Sequence, residues 1–260
     1  MNYTPFEIHD FSKMKTQSLK QFEEAFYEGR LQDAERVAML SHEECPSEWG
    51  PIYYLGMVCR QKGDFQGALS RYHEALQLTS KQSSESAAIL RACGIAHQLL
   101  GEYDKAISSL GDSLRIDPEN VEGLNSLGIT YRKMGKYQHA LYYYCIAVNL
   151  CFKTASTEVR GEGLIRDIHD ANAKKGLLLD GGSFEDYRNA VLSSPYIKLI
   201  ENIGAAFETM GDTERAQYFF RTAESKNPVD EDVIWKIFKN AKKVVEIAPK
   251  SIHDSDASDQ

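Results

Sequence analysis

Small and apolar positions recur along this chain in blocks of helical rather than strand spacing. The fragments LGMVCRQKGDFQGALSRYHEAL, CGIAHQLLGEYDKAISSLGDSL, LGITYRKMGKYQHALYYYCIAV and IGAAFETMGDTERAQYFFRTA align without a gap. Their first glycines are Gly56, Gly94, Gly128 and Gly204, and a second follows seven residues later at Gly63, Gly101, Gly135 and Gly211. An alanine stands five further on, at Ala68, Ala106, Ala140 and Ala216. Four beyond that comes a large apolar or aromatic residue: Tyr72, Leu110, Tyr144 and Phe220. Each block predicts two helices joined at the second glycine.

Each recurring position has a physical reason. A glycine in the first helix lets the second approach to near contact, and the glycine between them adopts a turn conformation that costs other residues free energy. The alanine marks the helix crossing, and the large residue after it fills the gap toward the neighbouring pair. Pro118 and Pro228 close two copies, because proline past a helix end cannot continue it. Gly94 and Gly128 are 34 residues apart; Gly56 and Gly94 are 38 apart, which predicts about four extra residues within 80–86. Gly29, Ala34 and Pro46 precede Gly63, Ala68 and Ser80 by 34 residues, so a degenerate pair is expected at 15–48. The interval from Gly128 to Gly204 is 76, leaving room for one enlarged unit. Tyr187, Ala190 and Pro195 repeat the spacing of Phe220, Ala223 and Pro228, so a divergent pair is expected at 164–196, after an insertion around 154–163. Beyond it, Val233, Ile234, Ile237, Phe238, Ala241, Val244 and Val245 form a 3.6-residue stripe suited to a solvating cap helix.

These residues and spacings resemble the 34-residue tetratricopeptide repeat (TPR). The resemblance implies an all-α fold: a right-handed superhelical solenoid of antiparallel helix pairs, about six pairs plus a C-terminal capping helix. The organisation expected is an N-terminal segment at 1–14, then a repeat domain at 15–247. Within it the units are 15–48, 49–86, 87–120, 121–154, an insertion and divergent repeat at 155–196, 197–230, and a cap helix at 231–247. A disordered acidic tail is expected at 248–260.

Composition narrows the function. The chain has 260 residues, 42% of them hydrophobic, enough for a substantial core. A net charge of −8 opposes nonspecific attraction to nucleic acid or anionic lipid. No stretch approaches the roughly 20 apolar residues of a membrane helix, and the opening MNYTPFEIHDFSKMK lacks the apolar core of a secretory signal. Five cysteines, an odd number without CxxC pairing, fit a reducing compartment, and a cytoplasmic location is expected. In that setting the glycosylation match at Asn2, Tyr3 and Thr4 carries no weight.

The sequence holds little that points to catalysis. Gly161-Glu162-Gly163-Leu164-Ile165-Arg166 begins like a dinucleotide fingerprint but has Arg at the third glycine position and no preceding strand pattern. There is no P-loop, HExxH or GxSxG, and Asp180-Gly181-Gly182 lacks the spaced oxygens of a calcium loop. No cofactor, no metal and no enzymatic activity are expected. His73, His97 and His139 read as surface or packing residues, and Cys59, Cys93 and Cys145 as small hydrophobes. Of Tyr142, Tyr143 and Tyr144, the third reads as core and the others as interhelix filler, since consecutive helical residues point about 100° apart.

The resemblance also implies where binding occurs, because in that family the first helix of each pair lines a concave groove. Position by position, this selects Tyr53, Tyr54, Met57 and Arg60, then Arg91 and Ile95, then Asn125, Ile129, Arg132 and Lys133. Asn125, Ile129 and Arg132 share a helix face on periodicity alone. Their chemistry suits a protein or peptide segment with acidic groups beside apolar anchors, since Arg pairs with carboxylates bidentately and Tyr and Arg are frequent interface hot spots. The family's carboxylate clamp for chaperone tails needs Asn where Ile95 and Ser126 stand, so that partner is not expected. The leading expectation is an interaction scaffold or adaptor. The alternative is an escort chaperone for a secreted or assembling client, and self-association is a further possibility.

Overall fold

The computed structural model describes residues 16–158, 195–225, 229 and 231–247. Among them are eleven helices and no strand. The expectations for 1–14, for most of the divergent unit at 155–196 and for the tail at 248–260 lie outside the described residues. By internal contacts the chain divides into two units at Thr130.

The first unit contains α1 (Thr16–Tyr27), α2 (Leu31–Glu44), α3 (Trp49–Gln61), α4 (Phe65–Gln77), α5 (Ser84–Leu99), α6 (Tyr103–Ile116) and most of α7 (Val121–Lys133). Here α1 packs on α2, α3 on α4 and α5 on α6, and each pair touches the next through α2 with α3 and α4 with α5. The second unit contains α8 (Tyr137–Glu158), α9 (Pro195–Thr209), α10 (Thr213–Ser225) and α11 (Glu231–Ile247).

The hairpin turns are built alike. Gly63 has φ +84°, and its counterparts Gly29, Gly101, Gly135 and Gly211 lie between +74° and +80°. Around Gly63 the glycine N–H donates to the Arg60 carbonyl at 3.0 Å and the Asp64 N–H to the Cys59 carbonyl at 2.9 Å. This pair of bonds satisfies carbonyls that a helix end otherwise leaves open. The same two bonds recur at the other four turns. At two of them the next helix is also capped: Asp64 accepts from the Gly67 N–H at 2.9 Å and Asp212 from the Arg215 N–H at 3.0 Å.

In three of the four blocks the first glycine holds the two helices close. A Cβ on Gly56 would lie 2.4 Å from the Tyr72 ring, one on Gly94 2.6 Å from Leu110 Cγ, and one on Gly204 2.8 Å from the Phe220 ring. So Tyr72, Leu110 and Phe220 close the space inside their own hairpins, not only the gap toward the next pair. In the last copy the fully buried aromatic is Phe219, stacked on Phe207 with centroids 5.7 Å apart. Ala34, Ala68, Ala106, Ala140 and Ala216 at the crossings are at most 2% exposed.

Three features differ from the simplest repeat. The extra residues near 80–86 do not all form loop: α5 has 16 residues where α3 and α7 have 13, and Ser83 caps it by accepting from the Ser86 N–H. Helix α8 runs for 22 residues to Glu158, so the first part of the stretch read as an insertion continues the helix. Finally, α11 lays its apolar stripe along α8, on which α9 also packs. Ile234, Ile237 and Ala241 are buried there, and Phe238 stacks on Tyr142 with centroids 5.4 Å apart.

Candidate functional site

The first helices of the pairs carry the residues selected from the sequence, and the structure separates them into two groups. In α3, Tyr53, Tyr54, Met57 and Arg60 are buried, none more than 5% exposed. Phe22 from α1 lies 4.7 Å from the Tyr54 ring, and Tyr72 from α4 lies 5.6 Å from the Tyr53 ring. With Trp49 beside Tyr53, aromatic volume fills the space around α3, and these side chains serve as core.

Arg91 in α5 is also buried, and its charge is met within the chain. Its Nη1 lies 2.8 Å from Oε2 of Glu122 in α7, with the Arg91 side chain 4% exposed and that of Glu122 30%. Burying the guanidinium is tolerable because the carboxylate faces it in a low-dielectric setting. Two turns along α5, Gln98 donates from Nε2 to the Ser126 carbonyl at 3.2 Å and to Thr130 Oγ1 at 2.7 Å. These contacts tie α5 to α7, and Thr130 itself donates to the Ser126 carbonyl. Glu122 is a structural residue outside the groove positions, and Gln98, which stands at a groove position of α5, is taken up by this seam. The only signal for Glu122 in the sequence is a polar residue facing a first helix from the adjacent copy.

Five of the selected residues remain accessible. Ile95 in α5 and Asn125, Ile129 and Arg132 in α7 are half-buried, and Lys133, at the end of α7, is exposed. Burial, and then the charge of neighbouring Arg132, hold the Lys133 ammonium below its ordinary pKa. The Tyr144 hydroxyl beside Arg132 is pushed up to about 12 by burial, an effect that Arg132 partly opposes.

The other chemistry-bearing residues have packing roles. His97 Nδ1 is 2.7 Å from Glu102 Oε2 across the α5–α6 turn, and His139 stacks on Tyr131 with centroids 5.1 Å apart. His73 is exposed. All five cysteines are free, and burial pushes the thiols of Cys93 and Cys145 up to about 12, far from a reactive thiolate. Tyr144 is buried, Tyr143 stacks on Tyr131 and Tyr142 on Phe238, so each tyrosine of the run packs against its own neighbours. Among the described residues no group of three or more His, Cys, Asp or Glu is placed to hold a metal ion, and no helix is long and apolar enough to cross a membrane.

Comparison with known proteins places this geometry. The family model described as "Tetratricopeptide repeat" matches residues 51–119. The photosystem I assembly protein Ycf3 of Rippkaea orientalis is 31% identical over 86 residues, covering 33% of this chain and 49% of that protein. The BBSome complex member BBS4 of Bos taurus is 31% identical over 90 residues, 35% of this chain and 17% of that one. The chain thus spans about half the length of the first relative and much less of the second. Among solved structures, TTC0263, a thermophilic TPR protein of Thermus thermophilus, superposes with a TM-score of 0.56 at 15% identity, over 87% of this chain and 98% of that one. MamA of Desulfovibrio magneticus gives a TM-score of 0.52 at 14% identity, over 83% and 96%. At such identities the two structures speak for the fold alone.

Proposed function

This chain is a tetratricopeptide repeat protein, and from that premise we propose that it is a non-catalytic scaffold or adaptor that holds a segment of another protein. The surface we assign to this task is the accessible face of α7, with Asn125, Ile129, Arg132 and Lys133, and Ile95 of α5. One observation carries the reading. Arg132 and Lys133 end α7 as adjacent cations, and among the described residues no carboxylate lies within ion-pair distance of Lys133, whereas Arg30, Arg36, Lys62 and Arg71 on the surface each have one. A partner carboxylate would offset the like charges of Arg132 and Lys133, with Ile129 as the apolar contact one turn away. The relatives, an assembly protein and a member of a complex, agree in kind with a protein-binding role. Five free cysteines support a cytoplasmic setting for it.

The test is affinity capture from the source organism with wild type, with Arg132→Glu/Lys133→Glu, and with Arg36→Glu as a distant surface control. All three must first show the same circular dichroism. A partner retained by wild type and control but lost from the double variant supports the reading; a partner retained by all three refutes this surface. The matches to photosystem I assembly proteins favour a second reading, an escort for a client under assembly. An escort releases its client once the client is assembled, whereas an adaptor stays in the finished complex.

A further inference from the structure

Helices α8 and α11 leave a cleft of about 300 Å³ between them, partly open to solvent. Leu150 and Ile234 supply apolar wall, and Phe238 closes it from the side where it stacks on Tyr142. Trp235 lines the cleft while remaining 52% exposed. Two neighbours restrain its ring: Phe238 stacks on it with centroids 5.4 Å apart, and Lys239 Nζ lies 5.1 Å from the ring centroid. An indole held rigid and half in water is a typical interface anchor, because little side-chain entropy remains to be lost on binding.

Charge adds the second half of the argument. The polar face of α11 carries Lys236, Lys239, Lys242 and Lys243, all exposed, in a chain whose net charge is −8. Trp235, Lys239 and Lys243 follow each other at i, i+4 and i+8, on one side of the helix. Asp232 lines the cleft one turn before Trp235, so the site is acidic at one end and basic at the other.

We propose that this cleft is a second protein-docking site, separate from the α7 face, for an acidic peptide segment bearing one bulky apolar side chain. That side chain enters beside Trp235, and the carboxylates run toward Lys239 and Lys243. The volume accommodates a single large side chain and its neighbours, and the gradient from Asp232 to the lysines sets the direction of the segment.

The chain has two tryptophans, and Trp49 is 4% exposed, so solvent-sensitive emission reports on Trp235. The probe is a short labelled peptide of Asp, Glu and Ser around one central Phe, titrated into the full chain. The expected result is a blue shift with reduced acrylamide quenching. Replacing the peptide's Phe by Ala, or using Lys239→Glu/Lys243→Glu protein, weakens binding by about tenfold or more. The Arg132→Glu/Lys133→Glu chain binds the probe unchanged, which separates this cleft from the α7 face. Four results would overturn the proposal: no shift with the peptide, binding indifferent to the lysine reversals, the same shift from phosphatidylserine vesicles, or the same shift on concentrating the protein alone. The last two would assign the face to a membrane surface or to a second copy.

Discussion

Gly94→Ala should destabilise the protein although alanine is the better helix former. In an exposed helix the exchange gains roughly 0.8–1 kcal/mol. Here the new Cβ would lie 2.6 Å from Leu110 Cγ, 2.9 Å from Leu110 Cδ2 and 3.2 Å from the Ala106 carbonyl oxygen. Carbon atoms rest about 3.5–4.0 Å apart, so α5 and α6 must separate by up to about 1 Å. Leu110 is fully buried, and overpacking at such a place costs about 1–3 kcal/mol. With two contacts under 3.0 Å the cost falls in the upper part of that range, so after the helix-propensity gain the net loss expected is about 1–2 kcal/mol, read as a lower urea midpoint by far-UV circular dichroism. Leu110→Ala alone should cost about 2–5 kcal/mol. In the double variant the side-chain clash is gone and only the Ala106 carbonyl still crowds Ala at 94, so the combined loss should fall short of the sum by about 1 kcal/mol. A Gly94→Ala protein as stable as wild type, or a strictly additive double variant, would refute the close-approach argument.

Two further outcomes follow from the ion pairs. Glu122→Gln leaves the buried Arg91 without its counter-charge and should cost about 1–3 kcal/mol, less than a fully buried pair because Glu122 reaches solvent; Arg91→Met/Glu122→Leu should recover most of the loss in the same urea assay. A neutral Glu122→Gln would mean the pair is not formed. The Asp212 carboxyl is held below its ordinary pKa by hydrogen bonds from the Arg215 side chain and then from the Arg215 N–H. Such a group stabilises the fold above about pH 4 and loses that contribution as pH falls through its lowered value. Asp212→Asn should therefore be less stable than wild type near neutrality and converge with it in acid; parallel stability–pH curves would exclude the effect.

The hairpins were legible from residue names because their constraints act on the backbone. Gly63 is read from a turn that needs positive φ, and Gly94 from a contact that tolerates no Cβ. Burial around α3 was not legible: whether Tyr53 and Tyr54 face solvent depends on Phe22 and Tyr72, which arrive from other helices. The same holds for Arg91, whose partner Glu122 stands in the next copy. The stripe on α11 announced an apolar face but not the helix it would meet, since periodicity records which residues are covered and not by what. The division of extra residues between α5 and its preceding loop was likewise hidden, because Ser-rich sequence serves equally as loop or as capped first turn.

The packing of α11 on α8 has a consequence for biosynthesis. Helix α8 ends at Glu158 and α11 begins at Glu231, so about seventy residues separate the two halves of this contact in the order of translation. At roughly 5–20 residues per second, the nascent chain carries Tyr142 and its neighbours uncovered for some 4–15 s before their cover emerges. A ribosome stalled in that interval would display the face of α8 that α11 covers in the folded chain.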